Sequence, residues 1–132
     1  MPTPSARTVK FYRDQGFLCA TVEKWIPMIK RRVDLFGCFD QIMVKPGEVW
    51  GIQTTTNSNV SSHVEKLLAI PEFHKWLQYG CHAAIVAWAV RGKRRERKKW
   101  TAKELIYCFS TGTFHPKGEC DVEDKEFQRD TI

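Results

Sequence analysis

Asp40 and Gln53 are the residues whose types and spacing most invite a chemical reading. They lie in VDLFGCFDQIMVKPGEVWGIQTTTNSN, residues 33–59, an acid near one apolar run and an amide in a second, with KPGE between. A turn centred between Pro46 and Gly47 gives antiparallel partners whose numbers sum to 93, so Val44 faces Val49, Ile42 faces Gly51 and Asp40 faces Gln53. Directly opposed residues share a face with Cβ atoms about 4.5–5.5 Å apart, within reach of one divalent cation. Thr55, two positions on, falls on the same face. A one-residue bulge would separate the pair. The plainer alternative is a polar strand end in which Asp40 and Gln53 hydrogen-bond each other or cap a nearby loop.

The elements that must position this pair follow from pattern and punctuation. SARTVKFYRDQG sets Val9 and Tyr12 at helical spacing, with Ser5 as an N-cap and Gly16 as a stop. FLCATVEKWIP turns β-branched and aromatic and predicts a strand from about Phe17 to Trp25, followed by MIKRR as a loop. Strands are expected at about Phe36–Val44 and Val49–Thr55, around the KPGE turn. VSSHVEKLLAIPEFHKWLQYG predicts helix, broken or restarted at Pro71 and ended by Gly80. CHAAIVAWAV is a ten-residue apolar run suited to a strand buried on both faces. KELIYCFST is compatible with a last strand or a short helix. The expected fold is α/β, a mixed sheet in the order α-β-β-β-α-β flanked by helices, with one domain over residues 1–114 and a polar tail over 115–132.

With 132 residues, 42% hydrophobic and 27% charged, the chain has an ordinary globular balance and suits a single core. Twenty-one Lys and Arg against fifteen Asp and Glu leave a net charge of +6, which favours a polyanionic partner. The five cysteines are odd in number and lack CxxC spacing, so they are expected to be reduced and mostly in the core. His63, His74, His82 and His115 show no HxxH or HExxH spacing, which argues against a zinc site or a histidine-based nuclease. Neither an apolar signal-like region nor a run of roughly 18 apolar residues is present, and the expected localisation is cytoplasmic, with no membrane partner.

RGKRRERKKW carries seven Lys or Arg in ten and ends in Trp100, a combination suited to phosphate contact plus stacking or groove wedging. A solvated hairpin tip is the alternative. The expected phosphate and stacking contacts, which the resemblance described below assigns to DNA, are Arg91, Lys93, Arg94, Arg95, Arg97, Lys98, Lys99 and Trp100, with Lys30, Arg31 and Arg32 adding charge just before Asp34. Trp25, Trp50, Trp76 and Trp88 fall in predicted elements and are assigned to the core or an interface.

The element order, with an Asp on the first strand of the hairpin and a QxT on the second, resembles the PD-(D/E)xK nuclease superfamily. DLFGCFD followed by QTT is similar, within it, to small phage and bacterial proteins described as Holliday-junction-resolvase-like, whose pattern runs DLFGxxD and then QxT. The resemblance covers about residues 5–90 and implies a restriction-endonuclease-like core and an Mg²⁺- or Mn²⁺-dependent endonuclease in a bacterial or phage-infected cell. Its substrate would be DNA, with branched DNA such as a Holliday junction as one form. It places Asp40 at the family's metal-binding Asp, Gln53 at the D/E position and Thr55 at the lysine position. Lys66 and Lys24 then become candidates for a relocated lysine, and Glu23 and Asp34 for the missing negative charge. The family's acid near the start of the first helix has no counterpart here before Asp14. Two symmetric cuts at a junction imply a homodimer. The departures at Gln53 and Thr55 keep two other readings open: a DNA-binding module whose catalysis has decayed, and a structural or protein-partner role.

Overall fold

Strand β1 leaves its sheet after only four residues, and that departure shapes the candidate site. The computed structural model describes residues 3–91 and 99–118. Helix α1 (Pro4–Arg13) starts at Thr3, whose hydroxyl accepts from the Ala6 amide at 3.1 Å. Thr3 replaces Ser5 as the cap because Pro4, with no amide to satisfy, fits the first turn. Gly16, at φ +93°, turns the chain out of the helix as expected.

The expected strand from Phe17 to Trp25 divides into β1 (Leu18–Thr21) and β2 (Lys24–Ile26), which belong to different sheets. The cause lies in the main chain: the Val22 and Glu23 amides both donate to the Asp40 carbonyl, at 2.9 and 3.2 Å, which bends the chain there. β2 pairs with β3 (Arg31–Val33) in a separate two-stranded hairpin, so MIKRR is only partly loop. Strands β4 (Gln41–Lys45) and β5 (Glu48–Thr56) form the expected antiparallel hairpin, paired from Lys45 with Glu48 to Gln41 with Ile52.

A 3-10 turn, Asn57–Asn59, leads into α2 (Val60–Leu68), and Pro71 restarts the chain as α3 (Pro71–Gln78). β6 (His82–Arg91) then runs parallel to β5, and β7 (Lys99–Cys108) and β8 (Thr113–Pro116) continue the sheet antiparallel. KELIYCFST is therefore strand over most of its length, and β8 takes in His115 and Pro116, which the sequence assigned to the tail. The mixed six-stranded sheet has the order β1-β4-β5-β6-β7-β8.

β6 explains the apolar run. Its even-numbered residues Ala84, Val86 and Trp88 pack with Tyr12, Met43, Trp50 and Ile52 on the α1 side. Ala83 and Ile85 pack with Phe39, Leu67, Phe73 and Leu77 on the α2–α3 side. Each large side chain buried this way contributes roughly 1.5–3 kcal/mol. Phe39 fits only because residue 51 is glycine: a Cβ there would come within 2.6 Å of its ring. Cys19, Cys38 and Cys81 are free thiols, whereas Cys108 is disulfide-bonded, which corrects the expectation that the cysteines are all reduced. Among the described residues no helix is long and apolar enough to cross a membrane.

Candidate metal centre

Three short segments bring acids together where β1 gives way to the β2–β3 hairpin. In that hairpin Lys24 pairs with Val33 and Trp25 with Arg32, and the same register sets Glu23 opposite Asp34 at its base. Asp34 opens the DLFG turn, in which the Cys38 amide donates to Leu35 carbonyl at 2.9 Å while Phe36 and Gly37 take φ of 57° and 71°. That pair of left-handed residues is the signature of a tight turn that glycine adopts freely and phenylalanine only under strain. The turn returns the chain so that Leu35 bridges Phe39, and Asp40 follows beside Asp34. One carboxylate oxygen from each of Glu23, Asp34 and Asp40 lies within 4.8 Å of the others.

The 93-sum register holds through Gln41 and Ile52 but ends there, so Asp40 is not the ladder partner of Gln53. The Asp40 amide donates instead to the Ile52 carbonyl at 2.9 Å, setting both Asp40 and Gln41 against Ile52, which is a bulge at the start of β4. Its carboxylate accepts the Thr54 amide at 3.0 Å, a donor that a continued ladder would have sent to main chain. The Thr54 hydroxyl donates to Gln41 Oε1 at 2.7 Å and lies 2.8 Å from the Thr8 hydroxyl, which accepts the Trp88 indole N–H at 2.9 Å. This buried polar chain from α1 fixes the strand end that holds Asp40.

The carboxyl of Asp40, 7% exposed, is pushed up to about 7, chiefly by burial, with the charges of Asp34 and Glu23 and a carboxyl–carboxyl hydrogen bond to Glu23 adding to it. The Thr54 amide pulls the other way. Glu23 is also held by Arg32 at 2.6 Å. Three acids crowded this closely, one of them buried, either share protons or take up a cation. The set is all oxygen, the donor chemistry that Mg²⁺ and Mn²⁺ prefer.

Gln53 is 2% exposed, on the sheet face shared with Ile85 and the α2–α3 core, and its Oε1 is a buried acceptor without a hydrogen-bond partner. Gln41 Nε2 and His63 Nδ1 are likewise buried and unpartnered. A buried oxygen left without a donor costs about 1–3 kcal/mol. Thr55, 6% exposed, follows on the same face beside Ala87.

On the α2 side, burial lowers the pKa of His63, with the Lys66 cation adding to that and Asp34 opposing it. Burial likewise pushes the Cys38 thiol up to about 11, against the pull of Lys66. Lys66 and Asp34 therefore act with opposite sign on the same two groups. Lys24 alternates away from Glu23 on the hairpin and is exposed.

The structure therefore brings together Glu23, Asp34 and Asp40, with Arg32 bonded to Glu23. Trp100 lies elsewhere. Its strand neighbour Ala102 packs on the α1 face, and Arg7 of α1 sits 4.7 Å from the Trp100 ring centroid, so Trp100 lies on the α1 side of the sheet. Lys99 and the backbone of Arg91 close the β6–β7 ladder, while Lys93, Arg94, Arg95, Arg97 and Lys98 lie outside the described residues. Lys30 and Arg31 are exposed on the β2–β3 hairpin. Sequence reasoning missed two residues near the cluster. Trp25, assigned to the core or an interface, is 52% exposed on this hairpin; His63, set aside for want of metal-ligand spacing, feels the charge of Asp34. The signal for the first was Pro27 and Lys30 flanking a two-residue tip between KWI and RRV; for the second, the three-residue spacing of His63 and Lys66 on one helix face.

In comparisons with known proteins, no family model, no curated protein and no solved structure matches the chain.

Proposed function

We propose that this protein is a divalent-metal-dependent DNA endonuclease of the PD-(D/E)xK type. The observation that carries the reading is the convergence of Glu23, Asp34 and Asp40 at the bulged end of β4, with Asp40 pushed to about 7. The layout supports it: an antiparallel β1-β4-β5 meander crosses over through α2 and α3 to a parallel β6, with α1 on the opposite face. This order is what the family resemblance implies for a restriction-endonuclease-like core.

Glu23, Asp34 and Asp40 would hold Mg²⁺ or Mn²⁺, and Gln53 would offer a neutral amide oxygen. A bound ion of this kind supplies charge to the phosphodiester and lowers the pKa of water. The chain's own residues do the rest. Asp40 releases its proton to become a ligand, Thr54 fixes its orientation, and Arg32 leaves guanidinium N–H groups free for a flanking phosphate. Lys66 takes the part of the lysine that Thr55 cannot play, placing a cation where negative charge develops on the phosphate. On a four-way junction two symmetric cuts require a C2 homodimer.

The test is incubation of the purified protein with branched, duplex and single-stranded DNA in Mg²⁺, Mn²⁺ or EDTA, beside Asp40→Asn. Metal-dependent cleavage abolished by Asp40→Asn is the expected result. Cleavage that persists in Asp40→Asn sinks the assignment. Tight binding without cleavage in either metal leaves the decayed DNA-binding module, the reading that Gln53 and Thr55 favour.

A further inference from the structure

We infer that Trp25 and Arg32 form a nucleotide subsite beside the acidic cluster, built to receive an unpaired base and its phosphate. The inference deepens the nuclease reading and rests on it, because it names the part of the substrate that lies next to the cut.

Antiparallel pairing puts directly opposed side chains on one face, and every second residue returns to that face. On the β2–β3 hairpin one face therefore carries Glu23 with Asp34 at the base, then Trp25 with Arg32, then Pro27 with Lys30 at the tip. The 2.6 Å contact between Arg32 and Glu23 is the diagonal neighbour expected of this arrangement. From the acids outward the face thus reads acid pair, indole with guanidinium, ammonium. A strand rises about 3.3 Å per residue, so Trp25 stands roughly 7 Å from Glu23 along the hairpin. Nucleotides repeat every 3.4 Å or so along a stacked strand, which puts the indole about one to two nucleotides from a phosphate held at the acids.

The indole is 52% exposed and the Arg32 side chain 69% exposed. Lys30 is exposed on the same face, Lys24 and Arg31 are exposed on the other, and Met28 at the tip is 94% exposed. An exposed indole flanked on its own face by the Arg32 guanidinium and the Lys30 ammonium complements a polyanion carrying flat bases. An indole face can be covered only by a base that is not already stacked on both sides. The ligand class is therefore DNA with unpaired nucleotides next to the cut, such as a fork, flap, gap or branch point, rather than uninterrupted duplex.

The probe is 2-aminopurine moved through a forked oligonucleotide, read with the full chain in Ca²⁺ and in EDTA, with blunt duplex of the same length as the control. Wild type is expected to change the fluorescence at one or two positions on the single-stranded side of the fork. Trp25→Ala should lose that signal and weaken fork binding roughly 5- to 150-fold while duplex affinity stays within twofold, and Trp25→Phe should retain most of both. Because Trp25 is half exposed, thermal melting of the variants is expected to match wild type, which separates loss of the subsite from loss of fold. Unchanged fork binding by Trp25→Ala, or an equal loss on duplex, overturns the subsite. So does a Trp25-dependent shift in oligomeric mass or in binding to anionic vesicles with no effect on forks, which would assign the hairpin to a second copy or a bilayer. The two readings fail separately. Cleavage indifferent to Trp25 removes the subsite alone, and Trp25-dependent stacking without cleavage in Mg²⁺ or Mn²⁺ removes the nuclease alone.

Discussion

Asp40→Asn should make the metal-free protein more stable above neutral pH, while removing the ability to respond to metal. In the fold the Asp40 carboxyl sits near 7 instead of the ordinary 3.8, because burial and the neighbouring Asp34 and Glu23 oppose its charge. Between those two values the folded chain binds more protons than the unfolded one, so this group's contribution falls as pH rises through the window and is fully lost above about 7. At about 1.4 kcal/mol per pH unit, the span amounts to roughly 4 kcal/mol. Asparagine keeps the shape and the acceptor for the Thr54 amide but carries no charge. The difference in unfolding free energy between Asp40→Asn and wild type should therefore grow from near zero at pH 4 to about 4 kcal/mol at pH 8. For a chain of this size that is on the order of 10 °C or more in Tm. Urea melts in EDTA at half-unit pH steps measure it. A difference flat across pH 4–8 would refute the claim that a buried, acid-crowded carboxylate is being forced to ionise.

Gly51→Ala should cost about 1–3 kcal/mol in a urea melt, since its methyl meets the Phe39 ring at 2.6 Å and must push aside the residue next to Asp40. Gly37→Ala meets no atom within 4 Å, so its cost of about 1 kcal/mol would be purely conformational, at φ 71°. That variant also loosens the DLFG turn and should weaken Mn²⁺ binding, read by calorimetry. Lys66→Ala should lower single-turnover cleavage roughly 100-fold or more while leaving Mn²⁺ affinity intact or slightly higher, because it removes a cation from the cluster's surroundings without removing a ligand. A parallel loss of metal affinity would show that Lys66 holds the acids in place instead of acting on the phosphate.

The parts of the fold readable in the sequence are those set by neighbours in the chain. Pro46 and Gly47 with alternating apolar residues fix a hairpin register correct from Lys45–Glu48 to Gln41–Ile52, and the apolar run of β6 marks a central strand. Asp40 escapes the same logic because its bulge depends on Val22 and Glu23, about 17 residues earlier, whose amides claim its carbonyl. Glu23 and Asp34 could be named as stand-ins for a missing acid, but their meeting with Asp40 required the β2–β3 hairpin, hidden because MIKRR reads as loop. Trp25 was assigned to the core or an interface for the same reason: in an unbroken strand from Phe17 it would have had a partner sheet to cover it. Between the two candidate lysines, strand alternation turns Lys24 outward, while helix spacing puts Lys66 on the same face of α2 as His63.

Titration of the apo protein with Mn²⁺, followed by calorimetry at pH 6 and pH 8, tests most directly whether Glu23, Asp34 and Asp40 form a cation site. A saturable site is predicted, tighter at pH 8 than at pH 6 because Asp40 must lose its proton to bind, and lost in Asp40→Asn. Failure to bind at pH 8, or binding that survives Asp40→Asn unchanged, would contradict it.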